Sequence, residues 1–162
     1  MSMPPVHPDV APLAFLLGVW SGTGEGEYPT IEPFGYEETV AFGHAGKPFL
    51  SYGQRTAAAD DGRPLHAETG YWRSPAPGRL EVVLAHPTGV AEVLGGTFEA
   101  TAGGGVLDLR TTAVTCTPSA KEVTALERRF EVDGDELRYT LAMAAVGLPM
   151  THHLRAVLRR EA

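Results

Sequence analysis

The stretch Leu126-Glu127-Arg128-Arg129-Phe130-Glu131-Val132-Asp133-Gly134-Asp135-Glu136-Leu137-Arg138-Tyr139-Thr140-Leu141 carries two apolar sets on either side of Asp133-Gly134: Leu126, Phe130 and Val132, then Leu137, Tyr139 and Leu141. Each set recurs with period two, as on a strand with one buried face. An Asp-Gly pair between two such runs suits a type I′ turn. The stretch therefore reads as an antiparallel hairpin, and the same pattern continues outward in both directions. Segments near 18–28, 34–44, 47–57, 64–74, 79–86, 89–94, 96–102, 106–116, 121–132, 136–146 and 150–160 alternate in this way. Asp61-Gly62, Pro77-Gly78 and the tip Gly103 to Gly105 separate some of them with turn chemistry.

No stretch after residue 20 holds a helical period long enough for a crossover, so the sheet has to be antiparallel. About ten short-looped strands in succession would leave two open edges unless the sheet closes on itself. The expected fold is all-β, a closed antiparallel up-and-down barrel of the lipocalin or fatty-acid-binding kind, large enough for one small ligand. Val10 to Leu17 reads as a helical turn plugging the barrel bottom, with Pro12 at its start. A chain of 162 residues without linker, repeat or low-complexity tract fits one domain over 1–162, with 1–12 as a poorly structured leading segment.

The net charge of -7 and the shortness of the basic clusters Arg128-Arg129 and Arg159-Arg160 argue against nucleic acid as a partner. Cys116 is the only cysteine, so no internal disulfide forms, and its threonine neighbours give no metal spacing. The apolar run Leu13 to Leu17 is too short to cross a membrane, and Met1 to Pro12 has four prolines and no signal-peptide pattern. The expected setting is cytoplasmic, away from membranes. The oligomeric state stays open, with a homodimer as one option.

In Gly18-Val19-Trp20-Ser21-Gly22-Thr23-Gly24-Glu25-Gly26-Glu27-Tyr28-Pro29-Thr30-Ile31, Trp20, Gly22, Gly24 and Gly26 share one face. Glycine inside a strand marks either a close approach by a ligand or another backbone, or a sharp bend, and spacing does not choose between them. This stretch resembles the Gly-x-Trp-x-Gly-x-Gly motif of the nitrobindins. Gly46-Lys47-Pro48, His66 to Arg73, Leu80 to Ala85 and His153 to Leu158 follow in the matching order and cover nearly the whole chain. The resemblance implies a ten-stranded barrel with one haem b per chain, mainly ferric, held by a proximal histidine. It also implies nitric oxide and peroxynitrite as ligands and isomerisation of peroxynitrite to nitrate. In that reaction the oxidant binds the iron face opposite the histidine, its O–O bond breaks and the fragments recombine. The reaction needs neither reductant nor an acid–base pair, which agrees with a sequence showing no catalytic triad or paired carboxylates and makes the cavity wall passive.

Six histidines give no zinc-like spacing, whereas a haem iron needs only one protein ligand. By the resemblance His153 is that axial ligand. Simple alternation disagrees: Leu154, Ala156 and Leu158 form the apolar face, which puts His152 with them and His153 on the other side unless a bulge or a rim position intervenes. His152 is therefore the alternative. Further candidates for the cofactor pocket are His86, at the end of the face made by Leu80, Val82 and Leu84, and Leu65 and His66 on the neighbouring strand. Met143 is expected in the apolar wall and Thr30 where the glycine motif comes nearest the haem. Arg128, with Lys121 and Arg129 as alternatives, is a candidate partner for the propionates. Tyr28, Tyr71 and Tyr139 would need shielding from the oxidant. The competing readings are a carrier or sensor of haem and nitric oxide without turnover, and a haem-free barrel for a lipophile.

Overall fold

In the computed structural model, which describes residues 1–162, the alternating segments form ten strands. They are β1 (Gly18–Tyr28), β2 (Ile31–His44), β3 (Leu50–Ala58), β4 (Pro64–Arg73), β5 (Arg79–His86), β6 (Val90–Thr101), β7 (Gly104–Cys116), β8 (Val123–Asp133), β9 (Glu136–Ala145) and β10 (Thr151–Arg160). Each strand pairs antiparallel with its sequence neighbours, and β1 pairs with β10 from Trp20 opposite Arg160 to Gly26 opposite Leu154, which closes the barrel. The expected up-and-down barrel is present, and closure leaves no strand edge free.

Two local readings change. The segments near 89–94 and 96–102 are one strand, because Gly95 and Gly96 remain paired to Arg110 and Leu109 across β7. There Gly96 serves close packing instead of a turn: a Cβ on it would collide with the Asp108 carbonyl oxygen of β7. The β8–β9 turn is made by Gly134 and Asp135, with Asp133 paired to Glu136. Gly134 carries the positive φ, 60°, which is the glycine-first arrangement of a type II′ hairpin.

A 3₁₀ helix, Ala11–Leu16, starts with Pro12 in its first turn and plugs one end of the barrel. Val10, Leu13 and Leu16 are fully buried there, joined to a core that includes Trp20, Leu80, Leu107, Leu137 and Leu158. The irregular leader therefore ends before Val10. Trp20 donates its indole N–H to the Leu16 carbonyl at 2.8 Å, and the Arg160 guanidinium lies over the Trp20 ring, 4.2 Å from its centre. Arg160 also donates to the carbonyls of Phe15 and Leu17. The last strand thus fastens the plug, and the opposite end of the barrel is left open.

Candidate functional site

The open end encloses a cavity of about 1000 Å³. It is lined by the strand ends farthest from the plug: the start of β10 with His153 and Leu154, the end of β9 with Met143, the start of β4 with His66, and the end of β5 with His86. Opposed strand ends meet here because neighbours run antiparallel. In the closed order, β5 lies directly across the barrel from β10. His153 and the pair His66 and His86 therefore occupy opposite walls.

His153 reaches this cavity through an irregularity of register. Between β10 and β9, His152 pairs with Ala142 and Leu154 with Leu141, leaving His153 as the extra residue of a bulge. The bulge re-aims one side chain, so His153 lines the cavity while His152 is exposed and borders only shallow outer grooves. His153 Nδ1 lies 2.9 Å from the Glu27 carbonyl oxygen. A carbonyl only accepts, so Nδ1 carries the proton and Nε2 keeps the lone pair, which is the ligand form of imidazole. The Tyr28 ring stands edge-on to His153 at 5.4 Å between centres, with its hydroxyl donating to the Met143 carbonyl at 2.9 Å. Burial lowers the His153 pKa, assisted by nearby His152 and opposed by the Glu27 hydrogen bond, so the neutral ligand form is favoured.

Inside the cavity, toward the plug, lies a charge cluster that the sequence reading missed. Arg128 forks onto Glu68 with Nη1 to Oε1 at 3.0 Å and Nη2 to Oε2 at 2.9 Å, and its Nη2 also reaches Glu92 Oε2 at 2.6 Å. His86 Nε2 donates to Glu92 and lies 3.7 Å from Glu68 Oε2, while His86 Nδ1 is 3.0 Å from His66 Nε2. Burial alone would raise the Glu68 carboxyl, but Arg128 outweighs it and holds that carboxyl below its ordinary range. Nearby, Glu38 accepts from Gln54 Nε2 at 2.6 Å, and burial raises its pKa from 4.5 to about 7. The hydroxyls of Tyr36 and Tyr139 lie 2.7 Å apart. Glu68, His86 and Glu92 come close enough to suggest a cation site, but the Arg128 guanidinium already occupies both carboxylates.

The other expected residues divide. Leu65, His66, His86 and Met143 line the cavity. Thr30 does not: it is exposed in the β1–β2 turn, and its neighbour Ile31 takes the cavity position. Arg128 faces inward as its alternation with Leu126 and Phe130 requires and lines the cavity, with both Nη groups bonded to carboxylates. Lys121 and Arg63 also border the cavity, and Arg129 is exposed and paired with Asp108 at 2.9 Å. The interior does contain paired carboxylates after all. Glu68 shares the inward face of Trp72, and Glu92 that of Val90 and Leu94, positions that period two assigns to the inside. The glycine face of β1 is filled by protein: a Cβ on Gly24 would strike the Tyr36 ring and one on Gly26 the Phe34 ring. Tyr28 and Tyr139 are buried, and Tyr71 is exposed at 55%.

Residues 9–160 match the profile of the family described as "THAP4-like, heme-binding beta-barrel domain". The chain is similar to "Peroxynitrite isomerase 1" of Mycolicibacterium paratuberculosis, with 60% identity over 158 residues, 96% of this chain and 97% of that protein. To "Peroxynitrite isomerase" of Nocardia farcinica it is 54% identical over 156 residues, 96% and 93% of the two chains. The crystal structure of Rv2717c from M. tuberculosis superposes with a TM-score of 0.96 at 51% identity, covering 98% of this chain and all of that one.

Proposed function

Because the chain belongs to the THAP4-like heme-binding β-barrel family, we propose that it holds one haem b through His153 and isomerises peroxynitrite to nitrate. The observation that carries this reading is the His153 imidazole itself. Its Nδ1–H is spent on the Glu27 carbonyl, its Nε2 lone pair is unspent, and burial favours its neutral form at the cavity wall. That is the tautomer a proximal haem ligand requires.

The residues present fit the group. Leu65, Leu126, Leu141, Met143 and Leu154 offer apolar contact for a macrocycle, and Lys121 and Arg63 stand at the cavity border where propionates need cations. Bound there as ferric haem, the cofactor would supply the metal chemistry for isomerising the weak O–O bond of peroxynitrite. The chain's own part is to ligate, to orient and to exclude. His153 would hold the haem iron from the β10 wall, and the cavity space toward β4 and β5 would take a small ligand such as peroxynitrite or nitric oxide. The barrel wall would enclose the reacting anion, and burial of Tyr28 and Tyr139 among hydrogen-bond partners withholds their rings from bulk oxidant.

The test is titration of the protein with ferric haem followed by rapid mixing with peroxynitrite. The expected result is a Soret band saturating at one haem per chain, with many equivalents of nitrate formed per haem. Saturation with only stoichiometric nitrate would replace the enzyme with a carrier or sensor, and no Soret band would remove haem from the account.

A further inference from the structure

We propose that Glu92, His86 and His66 form a proton-loaded relay that turns the outer nitrogen of His66 into a hydrogen-bond donor toward an oxyanion held in the cavity opposite His153. This rests on the haem reading above for the identity of the bound anion but not for the relay itself. It makes His66 a residue that touches substrate, and His86 and Glu92 positioning residues behind it.

The argument is one of tautomers. Glu92 Oε2 accepts from His86 Nε2, so His86 always has a proton on that nitrogen. Its other nitrogen, Nδ1, lies 3.0 Å from His66 Nε2, and one of these two must donate. If His86 is neutral, Nδ1 accepts, His66 has its proton on Nε2, and His66 Nδ1 is a bare lone pair. If His86 is charged, Nδ1 donates, His66 Nε2 accepts, and the His66 proton sits on Nδ1. One proton entering at His66 Nδ1 therefore displaces the Nε2 proton onto His86, and His66 remains neutral throughout with its outer nitrogen changed from acceptor to donor.

The surroundings decide where the added proton rests. His86 stands between Glu92 and Glu68, and those two carboxylates share a single guanidinium, Arg128, so the cluster has one negative charge in excess for an imidazolium to offset. His66 faces weaker company: its backbone N–H donates to Thr56 Oγ1 at 3.1 Å, and Asp60, Arg63 and Lys121 border the same cavity. Burial lowers the His66 pKa, with Glu68 and Glu92 opposing and His86 and Arg128 reinforcing, which keeps the charge off His66. From β3, Tyr52 donates to Glu68 Oε1 at 3.3 Å and adds no charge. The rest of the His66 ring borders the cavity on the wall across from His153, where an anion bound at the open axial position would lie. The passive wall expected from the sequence is thus replaced by one carrying a switchable donor.

The test uses histidine ring ¹⁵N NMR on the full chain, haem-free and as the diamagnetic ferrous carbon monoxide complex, together with fluoride binding to the ferric protein. As the pH is lowered stepwise, His66 should exchange its Nε2–H tautomer for Nδ1–H while remaining neutral. In Glu92→Gln that exchange should disappear. Fluoride, which gains from a donor beside it, should bind about tenfold more weakly in His66→Phe, equivalent to about 1.4 kcal/mol, and lose most of its pH dependence in Glu92→Gln. If Glu92→Gln does not fold, His86→Gln takes its place. A single His66 tautomer at every pH, or fluoride affinity within twofold of wild type in His66→Phe, overturns the relay. Catalytic nitrate with unaltered fluoride binding in His66→Phe would sink the relay alone, whereas a working relay with only stoichiometric nitrate would sink the isomerase reading alone.

Discussion

An imidazole offers a metal its lone pair only while the other ring nitrogen keeps the proton, and at residue 153 the Glu27 carbonyl keeps it there. His153→Ala should therefore lose axial ligation, seen as a shifted and weakened Soret band, while His152→Ala leaves the spectrum unchanged. The cost to stability should be about 1 kcal/mol, the value of one hydrogen bond at a half-buried site, measurable by urea unfolding. Because burial lowers the His153 pKa, the residue stays neutral to lower pH than a free imidazole, and haem should be retained below the ordinary imidazole range before protonation releases it. Glu38 gives the opposite sign. Burial raises its pKa from 4.5 to about 7, so the folded chain binds that proton more tightly than the unfolded chain does. Its contribution to stability is full below the ordinary carboxyl value and is lost as pH rises through about 7. Glu38→Gln, which keeps an acceptor for Gln54, should gain on wild type between about pH 5 and about pH 8, by roughly 2–3 kcal/mol at the upper end. A constant gap across that window would show that Glu38 does not titrate there.

On β1 the glycines make room for aromatic side chains arriving from β2 and for the backbone of β10. A Cβ on Gly24 would fall 2.5 Å from the Tyr36 hydroxyl, which is fixed by Tyr139, and one on Gly22 would fall 2.9 Å from the Leu158 Cα as well as on the Val157 carbonyl. Gly24→Val should cost about 1–3 kcal/mol or more as overpacking, whether or not haem is present, and Thr23→Val on the exposed face should cost little. Denaturant midpoints of haem-free and haem-loaded protein check this; a loss confined to the loaded form would restore the ligand reading of the glycines. The bulge at His153 is the other decisive feature at this scale. One extra residue between the Ala142 and Leu141 pairings turns a side chain that alternation sends outward into the cavity.

Across the whole molecule the two ends of the barrel have separate tasks, one sealed by the Ala11–Leu16 helix and one open to ligand. Leu16→Ala should destabilise the fold by about 2–5 kcal/mol, the usual cost of a cavity at a fully buried leucine, and leave haem uptake per folded molecule unchanged. A matching loss of haem affinity would show that the ends are coupled. The alternation of apolar and polar residues was legible from the sequence because strand faces repeat every two residues, a local property; with short turns and no crossover helix it led to a closed antiparallel barrel. The resemblance of several ordered blocks pointed to His153, and period two pointed Arg128 inward. What met Arg128 was not legible. Glu68 on β4, His86 on β5 and Glu92 on β6 converge with Arg128 of β8 because a closed barrel curves their inward side chains toward one centre. The inward turn of His153 likewise depends on how β10 pairs with β9, and the emptiness at Gly24 on the ring that fills it. By itself the sequence determined which face each residue takes along a regular strand, since that is fixed by the chain's own geometry; only the tertiary structure decided partners and register breaks, since both depend on strands distant in sequence.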